Sequence, residues 1–228
     1  MTRALTSLWL RIAIRSGRLF APLLVAATLL AFIHSGGVGP ARATYATAAA
    51  LVFPGQVWLA QQSVSAVPTE TRRVLLVAIG SRRLLLLGVL AAALPASLVV
   101  AAVSLVWPWL AGSVAVTANA EFGRDLLFAI VVVLVLVPPA TVLGVLTSEV
   151  AIGDRATAAI VGTVAVVATL VLGFQPALAW LAPPLVGLAR LGGATTPTAP
   201  HLAVVVVHSV LWTVVVGAFS QRALARRW

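Results

Sequence analysis

The chain has 228 residues, 61% of them hydrophobic and 9% charged, where soluble domains carry roughly a quarter charged. Its formal charge of +10 comes from arginine alone, and it has neither lysine nor cysteine. This composition marks an integral membrane protein with room for about six crossings of roughly 20 residues and none for a separate soluble domain; it excludes disulfides, thiolate metal sites and iron–sulfur clusters.

In chain order, residues 1–18 form the first element. Leu5, Leu8, Trp9 and Ile12 fall on one helical face and Arg3, Ser7, Arg11 and Arg18 on the other, the pattern of an amphipathic helix lying in the membrane interface. Hydropathy then predicts spans at about 19–34, 44–64, 84–106, 126–147, 156–174 and 202–220. None of these runs alternates as a barrel strand does, so the expected fold is an all-α membrane protein with six transmembrane helices. The first apolar run, its basic flank and Ala41-Arg42-Ala43 also admit a cleavable signal peptide, but Gly36-Gly37 and Pro40 serve equally as an outer turn.

The arginines sort by side. With the N-terminus inside, Arg3, Arg11, Arg15, Arg18, Arg72, Arg73, Arg82, Arg83, Arg155, Arg222, Arg226 and Arg227 fall inside, and Arg42, Arg124 and Arg190 outside. That asymmetry predicts both termini in the cytoplasm of a cell whose plasma membrane the chain crosses. Such a basic excess records topology and anionic lipid rather than nucleic acid. Trp107, Trp109 and Trp180 come near outer ends, where aromatic rings favour headgroups, while Trp58 and Trp212 lie deeper and are expected to pack between helices.

Residues 66–83 connect the second and third spans on the inner side. Arg82 and Arg83 stay at the surface, because each would cost about 2.5–3.5 kcal/mol at mid-membrane. Between the arginine pairs, Val74 to Ile79 form a short interfacial helix and Gly80-Ser81 turns the chain into the next span. The bland alternative makes both pairs simple anchors, each arginine contributing about 1 kcal/mol near anionic lipid. The second inner connection, SEVAIGDRA at 148–156, carries Glu149, Asp154 and Arg155. Between the last two spans, residues 175–200 are apolar but broken by Pro176, Pro183, Pro184, Gly192, Gly193, Pro197 and Pro200, which predicts short helices dipping back from the outer surface or a packed outer loop.

The stretch LLVAIGSRRLLLLG resembles the signature of permease subunits of ABC-2 type exporters, in which an acidic residue precedes a Leu-Leu pair, a short turn, Ser-Arg and a leucine run ending in glycine. The matching residues are Glu70, Leu75, Leu76, Ser81, Arg82, Leu84 to Leu87 and Gly88; Ile79 stands where that family often carries proline. The resemblance implies a single ABC-2 transmembrane domain over residues 1–228 and a coupling segment docked on a cytoplasmic ATPase. It assigns the ATPase contact to Glu70, Arg72, Arg73, Leu75, Leu76, Ile79, Arg82 and Arg83, and a secondary cytoplasmic contact to Glu149, Asp154 and Arg155. The implied partners are two copies of the ATPase subunit, which would hold ATP and Mg, and a second permease chain, identical or related. The cargo would be a hydrophobic or amphipathic compound.

Residue chemistry leaves little else. The chain has no phosphate-binding loop and no lysine to complete one, so no ATPase activity or cofactor is expected in it. Its acidic residues, Glu70, Glu121, Asp125, Glu149 and Asp154, sit at span ends or in loops, in no recognisable catalytic arrangement. His201 and His208 can share a face of the last helix, where haem or metal ligation is the less common role and structural hydrogen bonding the commoner; His34 is expected to cap an outer helix end. An ion-coupled carrier would normally place ionisable groups at mid-membrane, and none of the carboxylates lies there. A secondary carrier and a non-transporting scaffold remain the alternatives.

Overall fold

A computed structural model describes the backbone of residues 2–115, 120–194 and 199–225, with all side chains there except those of 2–4, 82, 83, 86, 120–122, 199 and 223–225. The expected anchors Arg3, Arg226 and Arg227, the contacts expected of the Arg82 and Arg83 side chains, and Glu121 therefore lie outside the described residues. The described chain is helical throughout apart from loops and one two-residue parallel bridge, in which β1 (Gly39–Pro40) pairs with β2 (Val114–Ala115).

The helices are α1 (Thr2–Arg15), α2 (Phe20–His34), α3 (Ala41–Ser65), α4 (Thr69–Ile79), α5 (Arg82–Leu110), α6 (Ala120–Leu146), α7 (Glu149–Ile152), α8 (Arg155–Phe174), α9 (Leu185–Gly193) and α10 (Ala199–Ala225). Four are long and apolar enough to cross a bilayer, namely α5, α6, α8 and α10, and a fifth crossing arises if α1 and α2 are one span bent by 76°. The chain is a multi-pass membrane protein on these grounds. Helix α2 alone has 15 residues, about 22 Å of rise against a hydrocarbon core of about 30 Å.

Helix α3 is long enough, at 25 residues, but contains Arg42, Gln56, Gln61 and Gln62, and its hydropathy falls short of a lipid-exposed span. Its position explains this. Both Gln56 and Gln61 are buried, together with Tyr45, Val52, Phe53, Val57, Leu59 and Val64, because α2, α5, α6, α8 and α9 all pack around it. A helix shielded by protein needs less apolar surface than one facing lipid. Against α6 the approach is close. A side chain at Gly144 would meet the Val57 carbonyl, Ala60 and the Gln61 amide nitrogen, so only glycine allows this crossing.

The main core joins Phe53 and Val57 of α3, Val132, Leu136 and Ala140 of α6, and Leu185 and Leu188 of α9. Helix α9 thus enters the bundle from the 175–200 segment, and Gly192 lets it touch Ala46 and the Arg42 carbonyl. A 3₁₀ turn at Ala179–Leu181 precedes it and is tied to α10 by Trp212 Nε1 donating to the Leu181 carbonyl at 2.9 Å, while the Trp180 and His208 rings lie 4.4 Å apart. Trp212 packs between elements as expected. Trp58 instead sits at a bundle surface, 36% exposed, beside a side opening.

The two ends of the bundle differ. At one, His34 is buried at the end of α2 with Nδ1 2.8 Å from Ser113 Oγ, and Arg42 pairs with Asp125 across α3 and α6. The other gathers Arg11, Arg15, Arg18, Arg72, Arg73 and Arg155 with the short helices α4 and α7.

Candidate functional site

The arginine-rich end is built on turns that the sequence encodes locally. Helix α3 stops at Ser65, and Pro68 opens α4 with its carbonyl accepting the Arg72 N–H at 3.0 Å. Gly80 ends α4 in the left-handed region at φ 66°, where its N–H caps the Leu76 carbonyl and a side chain would be strained. Ser81 then caps α5, its hydroxyl accepting from the Leu84 N–H at 3.4 Å. Gly88, one helical stretch on, is where α1 crosses α5, with Leu5 Cβ 3.3 Å from the position a side chain would take.

Helix α4 has two faces. Leu75, Leu76 and Ile79 turn inward and pack on a cluster formed by Leu5 and Trp9 of α1, Val64 and Val67, Leu85 and Val89 of α5, and Val145 and Val150. Glu70, Arg73, Val74 and Val77 turn outward, with Val74 66% and Val77 84% exposed. Leu8 on α1 is partly exposed, while Leu5, Trp9 and Ala13 face the protein.

Across from α4 lies the 147–154 connection. Ser148 precedes α7, Gly153 leaves it at φ 98°, and Asp154 caps α8, accepting the Thr157 N–H at 2.7 Å. Hydrogen bonds from Thr157 hold the Asp154 carboxyl below its ordinary pKa. Asp154 and Arg155 are exposed, whereas Glu149 lines the groove that faces α4 and stands 3.9 Å from Arg18. Between the two connections is a groove of about 550 Å³, with Thr69, Arg72, Arg73 and Leu76 on one wall and Glu149, Val150 and Gly153 on the other. Two segments 80 residues apart, expected separately as cytoplasmic contacts, thus line one groove.

Arg72 is the most constrained of these side chains. Its Nη2 donates to Thr69 Oγ1 at 2.8 Å, and its Nε is sealed from solvent with no partner among the described residues. Burial draws its pKa below the ordinary guanidinium value, against the opposing fields of Glu149 and Glu70. No protein-family model, curated protein or solved structure matches the chain.

Gln61 was not singled out by sequence reasoning, yet it ties this end together. From near the C-terminal end of α3 its Nε2 donates to the Thr147 carbonyl at 2.6 Å and to the Ala158 carbonyl at 2.8 Å, joining the end of α6 to the first turns of α8. Gly162 leaves room for it: a Cβ added there would stand 3.1 Å from Nε2. The legible signal was a glutamine amid apolar helix positions, where an unsatisfied amide is costly. Gln61 also borders a cavity of about 360 Å³ between α2, α3 and α8, otherwise lined largely by Val25, Pro54, Gly55, Trp58, Thr163 and Val166. Among the described residues no three His, Asp or Glu side chains gather as a metal site.

Proposed function

We propose that the chain is the transmembrane permease subunit of an ATP-driven exporter of the ABC-2 type, moving a hydrophobic or amphipathic compound out of the cell. In this reading α2, α3, α5, α6, α8 and α10 make six spans in the plasma membrane, α1 lies in the interface, and the arginine-rich end and both termini are cytoplasmic. ATP and Mg bind a partner ATPase present in two copies, and a second permease chain completes the membrane unit.

The observation that carries the reading is α4. It is a short, separately capped helix between two long ones, and it presents Glu70, Arg73, Val74 and Val77 beyond the bundle beside the α7 connection. An exposed apolar pair rimmed by opposite charges suits a protein partner. Leu75, Leu76 and Ile79 would act indirectly, by seating α4 on the bundle so that a push on its outer face reaches α3, α5 and α6. The side cavity next to Trp58, apolar with Gln61 and Thr163 as its polar groups, suits a cargo of that class.

The test is isolation from native membranes in mild detergent, with ATP hydrolysis and transport followed together. An ATPase subunit bearing a phosphate loop should accompany the chain, and Glu70→Ala with Val77→Ser should release it and stop transport without affecting membrane insertion. Transport by the lone chain on an ion gradient would overturn the assignment and favour a secondary carrier.

A further inference from the structure

We infer that the groove between α4 and α7 is a binding site for the phosphoethanolamine headgroup of a membrane phospholipid. The charges across it are arranged for a zwitterion. On one wall Arg72 and Arg73 offer guanidinium donors. On the facing wall Glu149 carries the opposite charge; it stands 3.9 Å from Arg18 in a partly exposed pair and forms no ion pair with Arg72 or Arg73 within 4.0 Å, so its carboxylate keeps an open side toward the groove. A phosphate diester seated on the two arginines and an ammonium directed at Glu149 would satisfy both walls at once.

The floor and exit of the groove select a lipid over a soluble phosphate. Leu76 on one wall and Val150 on the other give it an apolar part. Gly153 leads through Asp154 into α8, where Ile160, Val164, Val167 and Val171 form an exposed stripe at helical spacing. Acyl chains leaving the groove would find that stripe. The groove also lies at the level where α3 and α6 end and α5 and α8 begin, which in a multi-pass protein is the headgroup layer. The inference rests on the chain crossing a membrane and is independent of the ATPase reading.

The experiment uses the full chain, purified without any ATPase and stripped of lipid, in native mass spectrometry with defined phospholipids. Phosphatidylethanolamine should be retained over phosphatidylcholine on the order of tenfold, because a methylated amine cannot donate hydrogen bonds to Glu149. Phosphatidylglycerol, lacking the amine, should also bind more weakly. Glu149→Gln should erase the preference for the ethanolamine lipid over the choline lipid. Arg72→Gln with Arg73→Gln should weaken retention of every phospholipid, Arg72→Lys should keep part of it, and circular dichroism should show helix content unchanged in all of them. Soluble phosphoethanolamine should fail to displace the lipid at equal concentration. Equal retention of the ethanolamine and choline lipids, an unaltered preference in Glu149→Gln, unaltered retention in the double arginine variant, or displacement by soluble phosphoethanolamine would each overturn the inference.

Discussion

The packing of α6 on α3 can be tested with one substitution made at two places. In Gly144→Ala the new Cβ would fall 2.4 Å from the Val57 carbonyl oxygen and 2.7 Å from Ala60 Cβ. The first contact is about 1 Å inside ordinary van der Waals range, and its partner is backbone, so no rotamer change relieves it. The helices must separate by a comparable distance, and a gap of 0.5–1 Å forfeits roughly a quarter to a half of each contact's attraction along the interface. Overpacking of this kind costs about 1–3 kcal/mol. Gly123 lies in the same helix with nothing within 4 Å of its Cβ position, so Gly123→Ala gains helix propensity and lowers chain entropy in the unfolded state, stabilising by about 0.4–1 kcal/mol. Thermal unfolding in mild detergent, followed by circular dichroism, should then show opposite signs. For a chain of this size 1 kcal/mol corresponds to roughly 2–4 °C, so Gly144→Ala should melt several degrees lower and Gly123→Ala no lower than the parent. Equal melting of the two variants would refute the close α3–α6 crossing.

Three further outcomes follow from the same geometry. Gln61→Leu removes two buried hydrogen bonds and should lower stability by about 1–2 kcal/mol by denaturant unfolding in detergent, whereas Gln62→Leu, on the half-buried neighbouring position, should change it far less. The depressed pKa of Asp154 means its cap is fully present above the unfolded carboxyl value of about 3.9 and is lost as pH falls through the lower folded value, so Asp154→Asn should flatten the acid limb of stability against pH below about pH 4. Cysteines placed at Val38 and Val77 should label from opposite sides of the membrane, Val38→Cys in intact cells and Val77→Cys only after permeabilisation; labelling of both in intact cells would dismantle the proposed orientation.

The helices themselves were legible, because a lipid-facing helix must carry a continuous apolar run. The observed α5, α6, α8 and α10 overlap the expected spans at 84–106, 126–147, 156–174 and 202–220 and extend beyond most of them by a turn. The central helix α3 was legible by length, but its depth in the bundle was not, since hydropathy reports what a helix faces only when that is lipid. The motif was legible as punctuation. Gly80 and Ser81 stop one helix and cap the next, as a Gly-Ser pair should, and Gly88 marks a helix crossing. Which α4 side chains face outward was not legible, because Val74 to Ile79 are all apolar and no periodic stripe separates the two faces. Long-range pairings such as Arg42 with Asp125, or Gln61 with the α6 and α8 carbonyls, leave no local trace either, since each partner is an ordinary polar residue in its own segment.

Leu75 and Leu76 fasten α4 to the bundle. Their side chains pack on the cluster that holds Trp9, Val64 and Leu85 and stay partly exposed, so they seat α4 and still border whatever docks on it. They join α4 to α1, to the end of α3 and to the start of α5, so α4 moves only if that cluster moves with it. The exposed face of α4 carries Glu70, Arg73, Val74 and Val77, and the groove beside it reaches Glu149. From there the route is short: the Thr147 carbonyl, two residues before Glu149, accepts from Gln61, which also holds the first turns of α8. Displacing α4 or α7 therefore strains the joint between α3, α6 and α8 directly, and the cavity bounded by Gln61, Trp58 and Thr163 lies against that joint. A force applied at the arginine-rich end thus has a contiguous path, through packed side chains and two hydrogen bonds, to the space proposed for the cargo.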